Sequence, residues 1–119
     1  MRVLIVDDSR CFAAAARILL ERRGYEVAGV AENAMDAIEQ VKRLEPAAML
    51  LDVTLPDGTG FGVAAQLRGS APELAVLLTS SDDYSSCHSL AEECGARGFV
   101  LKSQLATCDL ERFWPRPVG

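Results

Sequence analysis

The chain has 119 residues, 50% of them hydrophobic and 24% charged, which is typical of one soluble globular domain with a single core. Its net charge of −5 and the lack of any Lys/Arg cluster argue against direct nucleic-acid binding. The apolar runs are too short for a membrane span, the N-terminus has no signal-peptide layout and the four cysteines form no CxxC pair, so we expect free thiols and a cytoplasmic location.

Short apolar runs alternate with amphipathic segments along the whole chain. Capping and breaking residues mark the predicted helix ends, with Ser9 and Asn33 as N-caps and Gly24, Pro46 and Gly95 as stops. The predicted strands cover residues 2–6, 26–30, 47–51, 74–78 and 98–101, and the predicted helices run from Ser9 to about Arg23, from Asn33 to Pro46, from the LPDGTG loop to about Arg68, from Asp82 or Asp83 to Gly95, and from about Ser103 to Phe113.

This pattern predicts an α/β fold built on a parallel sheet. The strands are apolar without alternation, as expected when helices cover both faces of a sheet. Five strand–helix units with short connections require right-handed crossovers and a doubly wound arrangement. We expect one domain over residues 1–114 and a C-terminal tail over residues 115–119.

Polar residues follow four of the five strands. Asp7 and Asp8 follow the first, Asp52 the third, Thr79 the fourth and Lys102 the fifth. Because the carboxyl ends of parallel strands share one edge of the sheet, these side chains are expected to converge there. Three carboxylates suit Mg²⁺, and a hydroxyl with an ammonium suits phosphoryl oxygens. The sequence therefore predicts a cation site beside a phosphoryl site.

Each of these residues also has a purely structural interpretation. Asp7 and Asp8 are possible helix caps or solvated loop acids, Asp52 and Thr79 possible strand terminators, and Lys102 a possible surface lysine. Taken singly, such an interpretation is the more common one for each residue type. That it holds for all of them, at the ends of strands in this order, is improbable, so we favour the functional interpretation.

Four sequence blocks resemble the signature blocks of response-regulator receiver domains of two-component signalling. The blocks are LIVDDS, LLDVTLPDGTG, VLLTSS and GFVLKS, and they occur in the order and at the spacing of that family. The resemblance covers about residues 2–113. It implies a flavodoxin-like fold with sheet order 2-1-3-4-5.

The resemblance also implies roles for the acidic residues. Asp52 would be the phosphoacceptor, and Asp7, Asp8 and Asp52 would hold Mg²⁺ together with the backbone carbonyl of Thr54. The phosphoryl donor would be a sensor histidine kinase or a phosphotransfer protein. In a phosphorelay the chain would then be a signalling phosphoacceptor that catalyses its own phosphotransfer and autodephosphorylation. It would not be a metabolic enzyme.

The remaining roles fall on the other strand ends. Thr79 and Lys102 would bind the phosphoryl group, and Thr79 with Phe99 would form the switch, in which the aromatic ring turns inward on activation.

Two residues depart from the family's pattern. Ser103 stands where many members carry a cis proline after the lysine, so the Lys102–Ser103 peptide is either trans or held cis at a cost of about 2.5–4 kcal/mol. Phe99 lacks the hydroxyl of the common tyrosine.

We expect the signal to leave through the fourth helix, the fifth strand and the fifth helix, a surface that includes Tyr84, His88 and Arg97. The same surface is a candidate homodimer contact. The segment after Trp114 shows no start of another fold, so we expect a stand-alone receiver, the other possibility being the N-terminal part of a transcription factor.

The same residues argue against other functions. A phosphatase of the haloacid-dehalogenase type needs an acid two residues after its nucleophile, where this chain has Thr54. A dinucleotide enzyme needs GxGxxG after the first strand, and a flavodoxin-like electron carrier a Ser/Thr/Gly-rich loop, where this chain has Asp7 and Asp8. A pseudo-receiver, an interaction module that is not controlled by phosphorylation, remains as the alternative.

Overall fold

A computed structural model describes residues 1–82 and 87–115 of the chain. Strands and helices alternate along it, as predicted, and a short hairpin is inserted after the third strand. The elements are β1 (Arg2–Val6), α1 (Arg10–Arg22), β2 (Glu26–Ala31), α2 (Ala34–Leu44), β3 (Ala48–Asp52), β4 (Thr54–Leu55), β5 (Gly58–Thr59), α3 (Gly60–Ser70), β6 (Ala75–Ser80), α4 (Cys87–Glu93) and β7 (Gly98–Leu101), followed by 3₁₀ turns at Lys102–Gln104 and Leu110–Arg112.

Five parallel strands form the central sheet in the order β2-β1-β3-β6-β7. Strands β4 and β5 form a separate antiparallel hairpin. Leaving that hairpin out, the order is the 2-1-3-4-5 that the sequence predicts. The strand order changes direction between β1 and β3, and in doubly wound folds this is where the site lies.

A hydrophobic core lies on each face of the sheet, which explains why the strands show no alternation. One core packs α2, α3 and α4 against side chains such as Leu4, Leu51 and Leu78. The other packs α1 and the segment that follows β7, residues 102–115, against Val3, Leu50 and others; this is called the C-terminal segment below. The expectation of a sheet covered on both faces is confirmed.

The predicted helix caps at Ser9 and Asn33 are confirmed. The Ser9 hydroxyl accepts a hydrogen bond from the Phe12 N–H at 3.3 Å, and the Asn33 side chain accepts one from the Asp36 N–H at 2.8 Å. Both bonds satisfy donors that the first helical turn leaves without partners. Since α1 and α2 follow β1 and β2, both helices begin at the edge where the candidate site lies.

The prediction of a fifth helix over residues 103–113 is wrong. Only two 3₁₀ turns form there, and the reason is competition for backbone groups. The guanidinium of Arg23 binds the carbonyls of Ala106 and Cys108, which a helix would use for its own bonds. The Asp109 side chain accepts from the Glu111 N–H at 3.2 Å and so starts a new turn in the middle of the segment.

The C-terminal segment still covers the sheet as a helix would. Leu105, Leu110 and Trp114 are all buried in the core that α1 also contacts. The Trp114 ring packs edge-on against Tyr25, with centroids 5.4 Å apart. Hydrophobic burial is therefore kept although the helix is not.

Helix α4, the fourth predicted helix, begins at Cys87, and Asp83, one of the two alternative starts predicted for it, lies outside the described residues. All four cysteines are free thiols, as expected. Within residues 1–82 and 87–115, no helix combines the length and apolar character needed to cross a membrane.

Candidate functional site

Four adjacent strands, β1, β3, β6 and β7, bring the predicted site residues to one edge of the sheet. Strands β1 and β3 pair so that Val6 lies beside Leu51, which places Asp7 next to Asp52. Strands β3 and β6 pair so that Asp52 lies beside Thr79. Lys102 follows β7 directly. The predicted convergence of strand ends is present.

Asp7, Asp8 and Asp52 form a compact carboxylate cluster. One oxygen from each lies within 4.8 Å of the others. Asp7 and Asp52 are buried, whereas Asp8 is exposed. Backbone N–H groups orient the buried pair: Ser9 donates to Asp7 Oδ1 at 2.8 Å and Thr54 to Asp52 Oδ1 at 3.3 Å. The cluster is thus held open towards solvent on the Asp8 side.

Lys102 joins the two buried carboxylates. Its Nζ lies 2.7 Å from Asp7 Oδ2 and 3.3 Å from Asp52 Oδ2. The side chain is only 15% exposed. With all groups ionised, three carboxylates face one ammonium, so two negative charges stay uncompensated. A divalent cation would carry the charge that this donor set lacks.

The pKa values show the same imbalance. Burial raises the pKa of Asp52, and so does the Asp7 carboxylate, while Lys102 and the Thr54 N–H oppose the rise without cancelling it. Burial lowers the pKa of Lys102, but its contacts with Asp7 and Asp52 outweigh this effect and leave that pKa raised. The pKa shifts therefore favour the protonated form of Lys102 and disfavour the charged form of Asp52.

Thr79 contributes a buried hydroxyl to the site. The residue is fully buried, and its Oγ1 has no hydrogen-bond partner among the residues that the structure describes. An unsatisfied buried hydroxyl costs about 1–3 kcal/mol. Because Thr79 lies beside Asp52 in register, an oxygen-bearing group on Asp52 is well placed to satisfy it.

The β4–β5 hairpin and the start of α3 close the site from the side. A Cβ at Gly60 would collide with the carbonyl oxygen of Asp52, so only glycine lets α3 begin this close to β3. The Gly60 N–H donates to the Val53 carbonyl at 2.7 Å. This approach keeps the backbone of Thr54 beside the carboxylate cluster.

A family model described as response regulator receiver domain matches residues 3–110. The chain belongs to this family. It is 31% identical to the chemotaxis protein CheY of Thermotoga maritima, over 85% of this chain and 84% of the relative. The signal receiver domain of the putative response regulator NarL from Mycobacterium tuberculosis is 34% identical, with a TM-score of 0.83 over 89% of this chain and 86% of that chain.

Other relatives are longer than this chain. A putative transcriptional regulator of Pseudomonas aeruginosa is 31% identical over 87% of this chain, but the match spans only 50% of that relative. A protein-glutamate methylesterase/protein-glutamine glutaminase of Myxococcus xanthus is 40% identical, with 90% of this chain matching 32% of its length. In these two relatives the receiver is therefore one part of a larger protein.

Phe99, the aromatic residue expected to take part in the switch, is buried in the structure. Phe99 is 5% exposed and lies in the core shared with α4. Its ring packs edge-on against His88, with centroids 5.3 Å apart and planes at 80°. The Lys102–Ser103 peptide is trans, which decides the alternative left open by the sequence. Tyr84, the third residue of the expected output surface besides His88 and Arg97, lies outside the described residues.

One contact at this edge of the receiver has no counterpart in the sequence predictions. Asp57, in the LPDGTG loop, accepts hydrogen bonds from the N–H groups of Ala34 at 2.7 Å and Met35 at 3.1 Å. It therefore joins the hairpin to the N-terminus of α2. The Pro-Asp-Gly sequence predicts a turn, but a cap supplied from 23 residues away has no local signal.

Proposed function

We propose that this receiver accepts a phosphoryl group on Asp52 from the phosphohistidine of a sensor histidine kinase or a phosphotransfer protein, and that phosphorylation changes its contacts with partners. One observation carries the proposal. The buried Asp52 carboxylate shares the ammonium of Lys102 with a second carboxylate, Asp7, and the neighbour of Asp52 on β6 is Thr79, whose buried hydroxyl is unsatisfied. This set of side chains suits a carboxylate that receives a charged group. It is less suited to a purely structural ion pair.

The transfer is a displacement at phosphorus. A carboxylate oxygen of Asp52 forms the new O–P bond, and the P–N bond of the phosphohistidine breaks with its electron pair passing to the histidine nitrogen. Phosphoryl transfer depends chiefly on positioning and charge compensation. Hydrolysis of the resulting acyl phosphate by water restores the carboxylate, which makes the signal reversible.

Mg²⁺ fits the carboxylate cluster. Asp7, Asp8 and Asp52 provide hard oxygen donors, and we propose the backbone carbonyl of Thr54 as a further ligand, since the Thr54 N–H already contacts Asp52. When bound, the ion would supply positive charge against the phosphoryl oxygens. The exposed position of Asp8 leaves the cluster accessible from solvent.

Lys102 and Thr79 act on the phosphoryl group itself. An ammonium has three N–H donors, and before phosphorylation Lys102 donates one of them to Asp52 Oδ2 and forms an ion pair with Asp7 Oδ2. The hydroxyl of Thr79 gains a partner only when a phosphoryl oxygen is present. Moving this hydroxyl towards Asp52 would free space next to β6, and a rearrangement of the Phe99 ring against His88 would respond to it.

The output surface is proposed to comprise α4, β7 and the C-terminal segment. The segment presents 3₁₀ turns there instead of the expected fifth helix. His88 on α4 contacts Phe99, so a change in that ring reaches the surface directly. We propose a partner protein or a second copy of the chain as the ligand of this surface, in the cytoplasm, with no nucleic-acid contact by this domain.

Mass spectrometry of the intact protein tests the proposal. Incubation with acetyl phosphate and Mg²⁺ should add the mass of one phosphoryl group to the wild type and none to Asp52→Asn. Asp57→Asn is the matched control and should still be labelled, because the Asp57 carboxylate is bound to α2 and not to the site. Labelling of Asp52→Asn would refute the assignment. A wild type that neither gains mass nor responds to beryllofluoride would be a pseudo-receiver.

A further inference from the structure

The ring of Phe12 lies against the ammonium of Lys102. The distance from Lys102 Nζ to the ring centroid is 4.6 Å, within the range of a cation–π contact. Phe12 is on the first turn of α1, and its N–H is bound by the Ser9 cap. The Ser9 cap thus connects the residue that carries the ring to the loop of Asp7 and Asp8.

This contact completes the surroundings of the ammonium. Asp7 and Asp52 approach Nζ at 2.7 and 3.3 Å, and the aromatic face attracts the charge without accepting a conventional hydrogen bond. Since Lys102 donates one hydrogen bond, to Asp52, at least one N–H stays available while Asp7 and the ring hold the charge in place. A leucine of similar bulk would fill the space but would not provide the negative face of the ring.

We infer that Phe12 is a positioning residue, which holds the ammonium of Lys102 at the acceptor site with one N–H free for a phosphoryl oxygen. The inference deepens the proposed function and rests on it for the phosphoryl step. In this role Phe12 acts through Lys102, the side chain that its ring contacts. It also explains why a partly buried aromatic ring lies at the rim of the site and not deeper in the core.

A spectroscopic measurement tests the contact without any phosphorylation. Lys42 and Lys102 are the lysines of the chain, so selective ¹³C-lysine labelling gives two assignable sets of side-chain resonances. The ring current of Phe12 should shift the Hε signals of Lys102 upfield relative to those of the exposed Lys42. Phe12→Tyr should keep the shift and Phe12→Leu should remove it. Unshifted Lys102 signals in the wild type would overturn the inference, even if Phe12→Leu does not fold.

A double-mutant cycle tests the consequence for phosphorylation. Phe12→Leu should slow labelling by acetyl phosphate about 3- to 30-fold, the range that a cation–π contact supports, and Phe12→Tyr should restore the rate. In a Lys102→Gln background, Phe12→Leu should change the rate by less than about twofold, because no ammonium is left to position. An equal slowing in both backgrounds would show that Phe12 acts through the fold, and would overturn the inference.

Phe113→Leu is the matched control. Phe113 is also partly buried beside a cation, with the Arg112 guanidinium carbon 5.7 Å from its ring centroid, but it lies outside the site. Its substitution should leave the Lys102 resonance and the labelling rate unchanged. Failure of the wild type to be labelled at all would count against the proposed function alone, because the lysine resonances report the contact separately.

Discussion

Thr79 lies directly beside Asp52 across the β3–β6 pairing, and its fully buried hydroxyl finds no hydrogen-bond partner in the described part of the chain. A buried hydroxyl left in this state lowers stability unless another state of the protein uses it. The unphosphorylated receiver therefore carries a cost that phosphorylation of Asp52 would relieve.

Replacing Thr79 by valine should separate stability from signalling. Thr79→Val removes the unsatisfied hydroxyl at similar size, so we expect the free energy of unfolding to rise by about 1 kcal/mol. The same variant should show a weaker change in amide exchange on addition of beryllofluoride and Mg²⁺. Ser80→Ala is the control, since the Ser80 hydroxyl accepts from the Asp82 N–H at 3.1 Å and its loss should destabilise the protein. A destabilised Thr79→Val with a full response would contradict the assigned role.

Substitutions of Asp8 and Lys102 should affect Mg²⁺ binding and phosphorylation of Asp52 differently. Asp8→Ala removes an oxygen donor from the cluster and should abolish both Mg²⁺ binding and labelling of Asp52. Lys102→Ala should keep Mg²⁺ binding, because the ammonium is a competing positive charge, but should slow labelling. Isothermal titration calorimetry and intact-mass kinetics measure the two effects. Equal losses of Mg²⁺ affinity in the two variants would show that the division of roles is wrong.

Asp57 should make stability depend on pH. The N–H groups of Ala34 and Met35 hold the pKa of Asp57 below its ordinary value of 3.8. A carboxyl whose pKa is depressed in the folded state stabilises the protein above the unfolded-state pKa and loses this contribution as the pH falls through the folded-state value. Asp57→Asn should therefore be less stable than the wild type at pH 7, and the difference should shrink in acid.

Urea unfolding at several pH values measures this effect, with Glu39→Gln as the control. Glu39 is an exposed acid in the middle of α2, away from the helix N-terminus. Its substitution should give a much smaller difference at pH 7. A constant stability difference between Asp57→Asn and the wild type at all pH values would mean that the carboxylate charge is not involved.

Two glycines of α3 should respond in opposite directions to alanine. Gly60→Ala places a methyl group against the Asp52 carbonyl oxygen, so we expect a loss of about 1–3 kcal/mol and slower labelling as β3 and α3 move apart. At Gly69, in the same helix, an added Cβ would have no described atom within 4 Å, and Gly69→Ala should stabilise the protein by up to about 1 kcal/mol. Thermal denaturation compares them, and a tolerated Gly60→Ala would refute the close approach.

Much of the site follows from sequence pattern alone. The apolar runs predict parallel strands, and parallel strands align their carboxyl ends, so Asp7, Asp52, Thr79 and Lys102 had to share an edge once the strand order was known. Helix caps at Ser9 and Asn33 are equally local, because a capping side chain and its N–H partner are three residues apart. Such features depend on short-range geometry that the order of residues specifies directly.

The tertiary structure alone decided the features that join distant segments. Arg23 binds carbonyls more than 80 residues further along the chain and so prevents the fifth helix that local propensity favours. Asp57 caps a helix from a different loop, and Phe12 meets Lys102 only because α1 and the segment after β7 pack on the same face. These contacts depend on which groups the packed sheet brings within a few ångströms, and no pattern along one segment records that competition for partners.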